Sequence, residues 1–292
     1  MKTSGFCSVG LAALVVAGAV QATGCASAVV RGQTDAVEAL YQQAMEDLDD
    51  GLYTEALDGF ASLKTKYPYS RFAALADLRT ADTHFKRGKF LEAVDAYRSF
   101  LRFHPSHGDA AYAMFQIGEA YFEQAPEDWW FLPPAAEKDQ GSTRLAITAY
   151  RDMLARFGSS EFAAPATEKL TLSLAKLAEH ELYVARFYFQ RERWKAAVSR
   201  AKGMLQDYPG SPYDAEGLWI LGRGQLELAD KQAAADALAR LAKDFPASEY
   251  AGEAQVLLAG LGAVSQAPAP QAPAPQAPVP QAPAPQAPKV TP

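Results

Sequence analysis

Few residues in this chain stand at spacings that suit chemistry. His180-Glu181 opens like the helix of a zinc protease, where two histidines four residues apart hold the metal from one helical face and the glutamate acts as base. The position four after His180 is Val184, so the second ligand is missing. His104 and His107 flank Pro105 at a metal-compatible separation, with Asp109 close by. No third and fourth ligand can be named from the sequence, and a turn between two helices accounts for the group. A glycine-rich phosphate loop and a Gly-x-Ser-x-Gly nucleophile elbow are both lacking. A superhelical transglycosylase would need a glutamate in a recognisable catalytic setting, and none occurs. The chain therefore reads as a non-enzyme without metal or cofactor, whose chemistry lies in binding.

Two groups of side chains suit recognition. Trp129-Trp130-Phe131-Leu132 places four large apolar residues between an acidic stretch and Pro133-Pro134. Such a run either folds back and is buried, or stands out as an anchor for a partner or lipid. Arg186, Arg193 and Arg200 form the second group; each is either a solvated charge or a contact for a partner. The whole chain carries 49% apolar residues and a net charge of −6, with cations scattered among Asp and Glu. Phosphate binding needs clustered cations, so nucleic acid is excluded as a partner.

A fixed spacing reveals the elements that carry these residues. Five times a small Ala is followed twelve residues later by Pro or its stand-in: Ala56 to Pro68, Ala93 to Pro105, Ala146 to Gly158, Ala197 to Pro209 and Ala234 to Pro246. The residue before the last member is aromatic (Tyr67, Phe157, Tyr208, Phe245) or His104. A second small residue stands twelve before the Ala in four copies, at Ala44, Ala81, Ala185 and Gly222. That pattern marks helical hairpins of the tetratricopeptide kind, in which small residues let helix A touch helix B and Pro ends helix B. Phe60, Tyr97, Tyr150 and Leu238, four after the Ala, extend the buried face; Ala201 is the exception. Ser70, Ser160, Ser211 and Ser248 read as N-caps of the following helices. The fold class is thus all-α: a solenoid of five hairpins.

Successive Ala positions are 37, 53, 51 and 37 residues apart. Pro105 to Gly118 keeps the thirteen-residue step of the regular copies, so the excess of repeat three lies between its two helices. It contains Pro126, the Trp pair, Pro133, Pro134 and Gly141, which is loop chemistry. The excess of repeat four precedes Ala185 in a stretch without Gly or Pro from Ala166 to Arg193, which predicts one long helix over about 165–190.

The ends differ from this body. Lys2 and the uncharged run Val9 to Ala22 read as a secretory signal closing on Ala22-Thr23-Gly24-Cys25. That sequence resembles a bacterial lipobox, which implies a mature chain beginning at Cys25 with an N-acyl group and an S-diacylglycerol. The absence of Asp at Ala26 and Ser27 resembles sorting to the outer membrane, facing the periplasm. With Cys7 removed in the signal, the mature chain has no disulfide and relies on packing. At the other end, Gln266 to Pro292 holds ten of the 19 prolines and cannot form a core. The plain reading of that tail is a spacer. The organisation is therefore signal peptide 1–24, tether 25–34, N-terminal repeats 35–123 ending with helix A of repeat three, inserted loop 124–142, helix B of repeat three with repeats four and five 143–262, and a disordered Gln-Ala-Pro tail 263–292.

Several segments together resemble the BamD family of lipoproteins from the β-barrel assembly machinery. They are Tyr67-Pro68-Tyr69-Ser70; Arg102-Phe103-His104-Pro105-Ser106-His107 with Tyr112-Ala113-Met114; Asp139-Gln140 with Thr143; and Leu177 through Phe187-Tyr188 to Arg200. The resemblance spans about Ala39 to Leu228. It implies a scaffold that binds unfolded β-barrel precursors near Tyr69, Phe72, Arg102 and Phe103. It also implies docking on the barrel subunit BamA, beside other assembly lipoproteins, through Glu181, Arg186 and Arg200. Gly108 and Phe157-Gly158 depart from the family pattern, as do the loop with its possible anchor Trp129 and Trp130 and the tail. An envelope adaptor or tether working with peptidoglycan machinery, through the tail, is the alternative.

Overall fold

The computed structural model describes residues 22–131 and 133–265, with side chains from 35 to 261. Residues 22–24 begin the first helix and 263–265 end the last, whereas residues 1–21 of the expected signal peptide, the side chain of Cys25 and residues 266–292 of the expected tail lie outside the described residues. Among these residues there are eleven α-helices: α1 Ala22–Asp49, α2 Tyr53–Lys66, α3 Arg71–Lys86, α4 Phe90–Phe103, α5 Ala110–Glu123, α6 Gly141–Phe157, α7 Ala163–Gln190, α8 Trp194–Asp207, α9 Asp214–Glu227, α10 Lys231–Asp244 and α11 Ala251–Ser265. A 3-10 turn, Ala135–Glu137, sits between α5 and α6. The backbone of 25–34, assigned to a tether from sequence, continues α1. Each helix packs on the next, and α1, α3, α5, α7 and α9 also touch in series, so they form one layer with α2 to α10 as the other.

The small residues sit where the two layers meet. Ala44, Ala56, Ala81, Ala93, Ala146, Ala185, Ala197 and Ala234 are all buried, as are Phe60, Tyr97, Tyr150 and Leu238. At Gly118 a β-carbon would come within 2.4 Å of the Tyr150 ring, and at Gly222 within 2.7 Å of Leu238. In these two hairpins glycine leaves the room that the facing side chain fills.

Turns repeat as closely as helices. Tyr67, His104, Tyr208 and Phe245 share one backbone conformation, φ near −130° and ψ near 55°, because the following Pro bars its predecessor from helical geometry. In repeat three Gly158 removes that bar, and Phe157 stays in α6. The expected serine caps are not made by side chains. Ser70, Ser160 and Ser248 hold Oγ without a hydrogen bond in the protein, while their carbonyls accept the N–H groups of Ala73, Ala163 and Ala251. Ser211 Oγ differs: it accepts the Tyr213 N–H at 3.3 Å and donates to Asp214 Oδ1 at 2.6 Å. At the other three a backbone acceptor does what the hydroxyl is expected to do.

The two interruptions fall where the spacing puts them. Helix α7 is 28 residues long, about 42 Å at 1.5 Å per residue, and begins two residues before the expected start. Its Ala166 belongs to the core built by α3 to α7, whereas Ala178, Leu182 and Ala185 belong to the core built with α8 to α11. The inserted loop ends two residues early, since α6 starts at Gly141.

Gly118→Ala should cost about 1–3 kcal/mol, because Tyr150 must move. Gly203→Ala on α8, where nothing lies within 4 Å of the added carbon, should gain about 0.5–1 kcal/mol through helix propensity. Urea denaturation of the two variants checks the opposite signs.

Candidate binding faces

The N-terminal candidates separate into surface and core. Tyr69, in the turn before α3, is fully exposed. Phe103 at the end of α4 is 65% exposed, with the Arg102 guanidinium 4.9 Å from its ring. Arg102 makes no ion pair among the described residues and reaches only Ser99 Oγ, at 3.4 Å. Phe72 differs: it is buried against Tyr41, ring centroids 5.2 Å apart, with Arg71 over its ring at 4.7 Å. It supports the wall of the first repeats and offers little surface of its own.

A cleft of about 320 Å³ lies between α1, α3 and α5, floored by Asp82, Tyr97 and Tyr112 and lined by none of these candidates. The buried Asp82 carboxylate accepts hydrogen bonds from Tyr97 Oη at 2.5 Å and Tyr112 Oη at 3.0 Å. It also pairs with Arg79 Nη1 at 2.5 Å. Burial and then the Asp82 charge push Tyr97 up, and the same causes push Tyr112 up to about 12. The network ties α3, α4 and α5 together; sequence reading passed over it because Asp82 is fifteen residues from Tyr97 and thirty from Tyr112.

The two histidines of the second turn serve packing. His104 Nε2 lies 3.2 Å from Asp77 Oδ2, and Lys64 pairs with the same carboxylate. His107 Nδ1 accepts the Asp109 N–H at 3.2 Å, and both imidazoles pack on Phe100.

The inserted loop is held at its base. Asp128 Oδ1 accepts the Ala135 N–H at 2.6 Å, and Lys138 Nζ donates to the Glu127 carbonyl at 2.9 Å. Buried Gln140 donates from Nε2 to the Ala135 and Lys138 carbonyls, and Thr143 Oγ1 donates to Gln140 Oε1 at 3.0 Å. His180, singled out in sequence by its zincin-like setting, donates from Nδ1 to the Ala136 carbonyl at 2.7 Å and fastens the loop to α7. The tip stays outside: Trp129, Trp130 and Phe131 are 56%, 94% and 62% exposed. The open alternative for the Trp pair thus resolves to exposure.

The C-terminal candidates form two ion pairs on α7. Arg200 Nη1 meets Glu181 Oε2 at 3.0 Å, joining α8 to α7, with the Arg200 side chain 48% exposed. Arg186 makes a two-pronged contact with Glu216, joining α7 to α9. Glu181 and Arg200 therefore come together, while Arg186 is engaged by Glu216, thirty residues away and missed in sequence. Beside the first pair a cleft of about 310 Å³ is lined by Arg144 and Arg151 of α6, Leu174 and Leu177 of α7, and Tyr208. Neither Arg144 nor Arg151 has an ion-pair partner among the described residues. Among these residues no three His, Cys, Asp or Glu side chains cluster as metal ligands would, and no helix is long and apolar enough to cross a membrane.

Residues 33–237 match the family model described as outer membrane lipoprotein, YfiO. The chain is 32% identical over 222 residues to the outer membrane protein assembly factor BamD of Neisseria gonorrhoeae, covering 73% of this chain and 81% of that one. It is 28% identical over 255 residues to BamD of Caulobacter vibrioides, covering 86% and 80%. With BamD of Xylella fastidiosa strain Temecula1 the identity is 27% over 248 residues, covering 82% and 84%. Among solved structures it is similar over 80% of its length to the TPR2AB domain of yeast Sti1, which it covers to 85%, with a TM-score of 0.42 at 13% identity.

Because Tyr112 holds its proton up to about 12 in the fold, against 10.0 ordinarily, the folded state binds more protons than the unfolded chain through that window. Stability is then at its full value below the unfolded pKa and falls as pH rises toward 12. Tyr112→Phe should flatten that fall, as measured by urea denaturation at pH 9 and pH 11.

Proposed function

The chain belongs to the YfiO, or BamD, family of outer membrane lipoproteins and assembly factors, and from that premise we propose a non-catalytic scaffold that binds two clients at two ends. The N-terminal edge around Tyr69, Arg102 and Phe103 takes unfolded β-barrel precursors. The face around Arg200 and Glu181 docks on the barrel subunit BamA within the assembly machinery. A lipid-modified Cys25 holds the scaffold at the outer membrane, where more than one acyl chain gives firm anchoring.

The observation that carries this reading is the Arg200–Glu181 pair. Its arginine is half-exposed, it lies within residues 33–237 that match the family model, and Arg144 and Arg151, which line a cleft with Asp207, have no ion-pair partner among the described residues. A face of that kind attracts an acidic partner surface and can transfer its guanidinium hydrogen bonds to it. At the other end, an exposed Tyr, an Arg and a Phe on adjacent turns suit extended, weakly bound chains that alternate apolar and polar side chains. The scaffold itself needs little ordering when either client binds, since its helices are already packed.

Arg200→Glu should lose BamA binding by about thirtyfold or more, the size of breaking a hydrogen-bonded charge pair, with precursor-peptide binding unchanged. Tyr69→Ala combined with Phe103→Ala should do the reverse, since neither residue is in the core. Titration of both variants with purified BamA and with barrel-precursor peptides, beside melting curves, makes the comparison. Unchanged binding of both clients by both variants would sink the two-ended scaffold.

A further inference from the structure

Two features remain without a role: the exposed aromatic tip and the C-terminal tail. Their chemistries match. The tip offers three rings in water, Trp130 and Phe131 with centroids 5.4 Å apart and Trp129 and Phe131 6.3 Å apart. Hydrogen bonds close the loop at its base, between Asp128 and Ala135 and between Glu127 and Lys138, which lowers the ordering a ligand of the tip must supply. Exposed aromatics grouped on a prepared backbone mark a contact surface more often than scattered ones do. Glu127 and Asp128 adjoin the tip, which sets an anionic lipid surface against it and favours a neutral or weakly cationic occupant.

The tail is such an occupant. From Gln266 to Pro292 its only charge is Lys289. It contains Pro-x-x-Pro four times, at Pro270–Pro273, Pro275–Pro278, Pro280–Pro283 and Pro285–Pro288. In a polyproline II helix, with three residues per turn, both prolines of such a unit share one face, and aromatic-lined surfaces bind that face at small entropic cost. The geometry allows return to the tip. His180 of α7 holds the loop at the Ala136 carbonyl; Arg186 of α7 holds Glu216 of α9, and Arg223 and Trp219 of α9 hold Glu253 of α11. From there α11 runs 15 residues to Ser265, about 22 Å. The 27 residues after it reach about 80 Å at 3.1 Å each. Tethering holds the local concentration of the tail near the millimolar range, enough for a contact of modest affinity.

We propose that the Gln-Ala-Pro tail docks on the Trp129-Trp130-Phe131 tip of its own chain, with Pro-x-x-Pro faces stacked on the indole rings. The tail is then a built-in ligand of the loop, and any partner reaching for the tip must displace it. This proposal is independent of the two client faces above.

The test compares the indole Nε1–H signals of the four tryptophans by NMR in the mature chain and in the chain ending at Ser265. Trp129 and Trp130 should shift on truncation while Trp194 and Trp219 stay. A synthetic 266–292 peptide added to the truncated chain should restore the shifts, and Trp129→Ala with Trp130→Ala should weaken that peptide at least about tenfold, the worth of two aromatic contacts. Identical signals in the two chains overturn the proposal. Shifts that vary with protein concentration overturn it too, in favour of tails from a second copy. So does equal binding of zwitterionic phosphatidylcholine vesicles through Trp130 by the long and short chains, which would assign the tip to lipid.

Discussion

Everything in this molecule depends on how closely two helices of one hairpin approach. The contact is made by residues with almost no side chain on helix A, Gly118 under Tyr150 in the third copy and Gly222 under Leu238 in the fifth, with buried Ala at that position in the others. Close approach lets a large residue one turn further along helix B fill the layer, and burying each such side chain contributes about 1.5–3 kcal/mol. Both cysteines precede the repeats, so no disulfide links one repeat to another, and that contact repeated five times carries the stability of the fold. It also fixes the turn geometry, since helix B must end at the same height each time for the next helix A to meet it.

Extra length enters the array at two places. The inserted loop adds an aromatic tip without disturbing α5 or α6, because its base is closed by Asp128, Gln140 and His180. The extended α7 brings two cores onto one element, so that the exposed Arg200–Glu181 pair and the Tyr69 to Phe103 edge belong to a single packed body.

Sequence made the hairpins legible because their decisive contact is periodic: a twelve-residue interval survives as long as both helices keep their length. The long helix was legible for the same reason, through the absence of Gly and Pro. Long-range pairings were not. His180 fastens the loop from 44 residues away, and Arg186 takes Glu216 from thirty; no local pattern encodes either. Phe72 was drawn to the binding edge by its neighbours in sequence, yet a helix turn carries it inward to Tyr41. The serine positions were read for their hydroxyls, whereas the turn uses their carbonyls, which any residue could supply.

Helix α7 has one further consequence, for how the chain comes apart. A stack of hairpins that touch only their neighbours can fray from either end, one unit at a time. Here the boundary between the two cores has no loop at which to part, because it falls within α7, one unbroken helix with residues in both. Fraying from the N-terminal side must strip Ala166 from its core, and fraying from the C-terminal side must strip Leu182 from the other, before α7 itself can unwind. The middle of the array should therefore exchange its amide protons last, and the two ends melt toward a common centre.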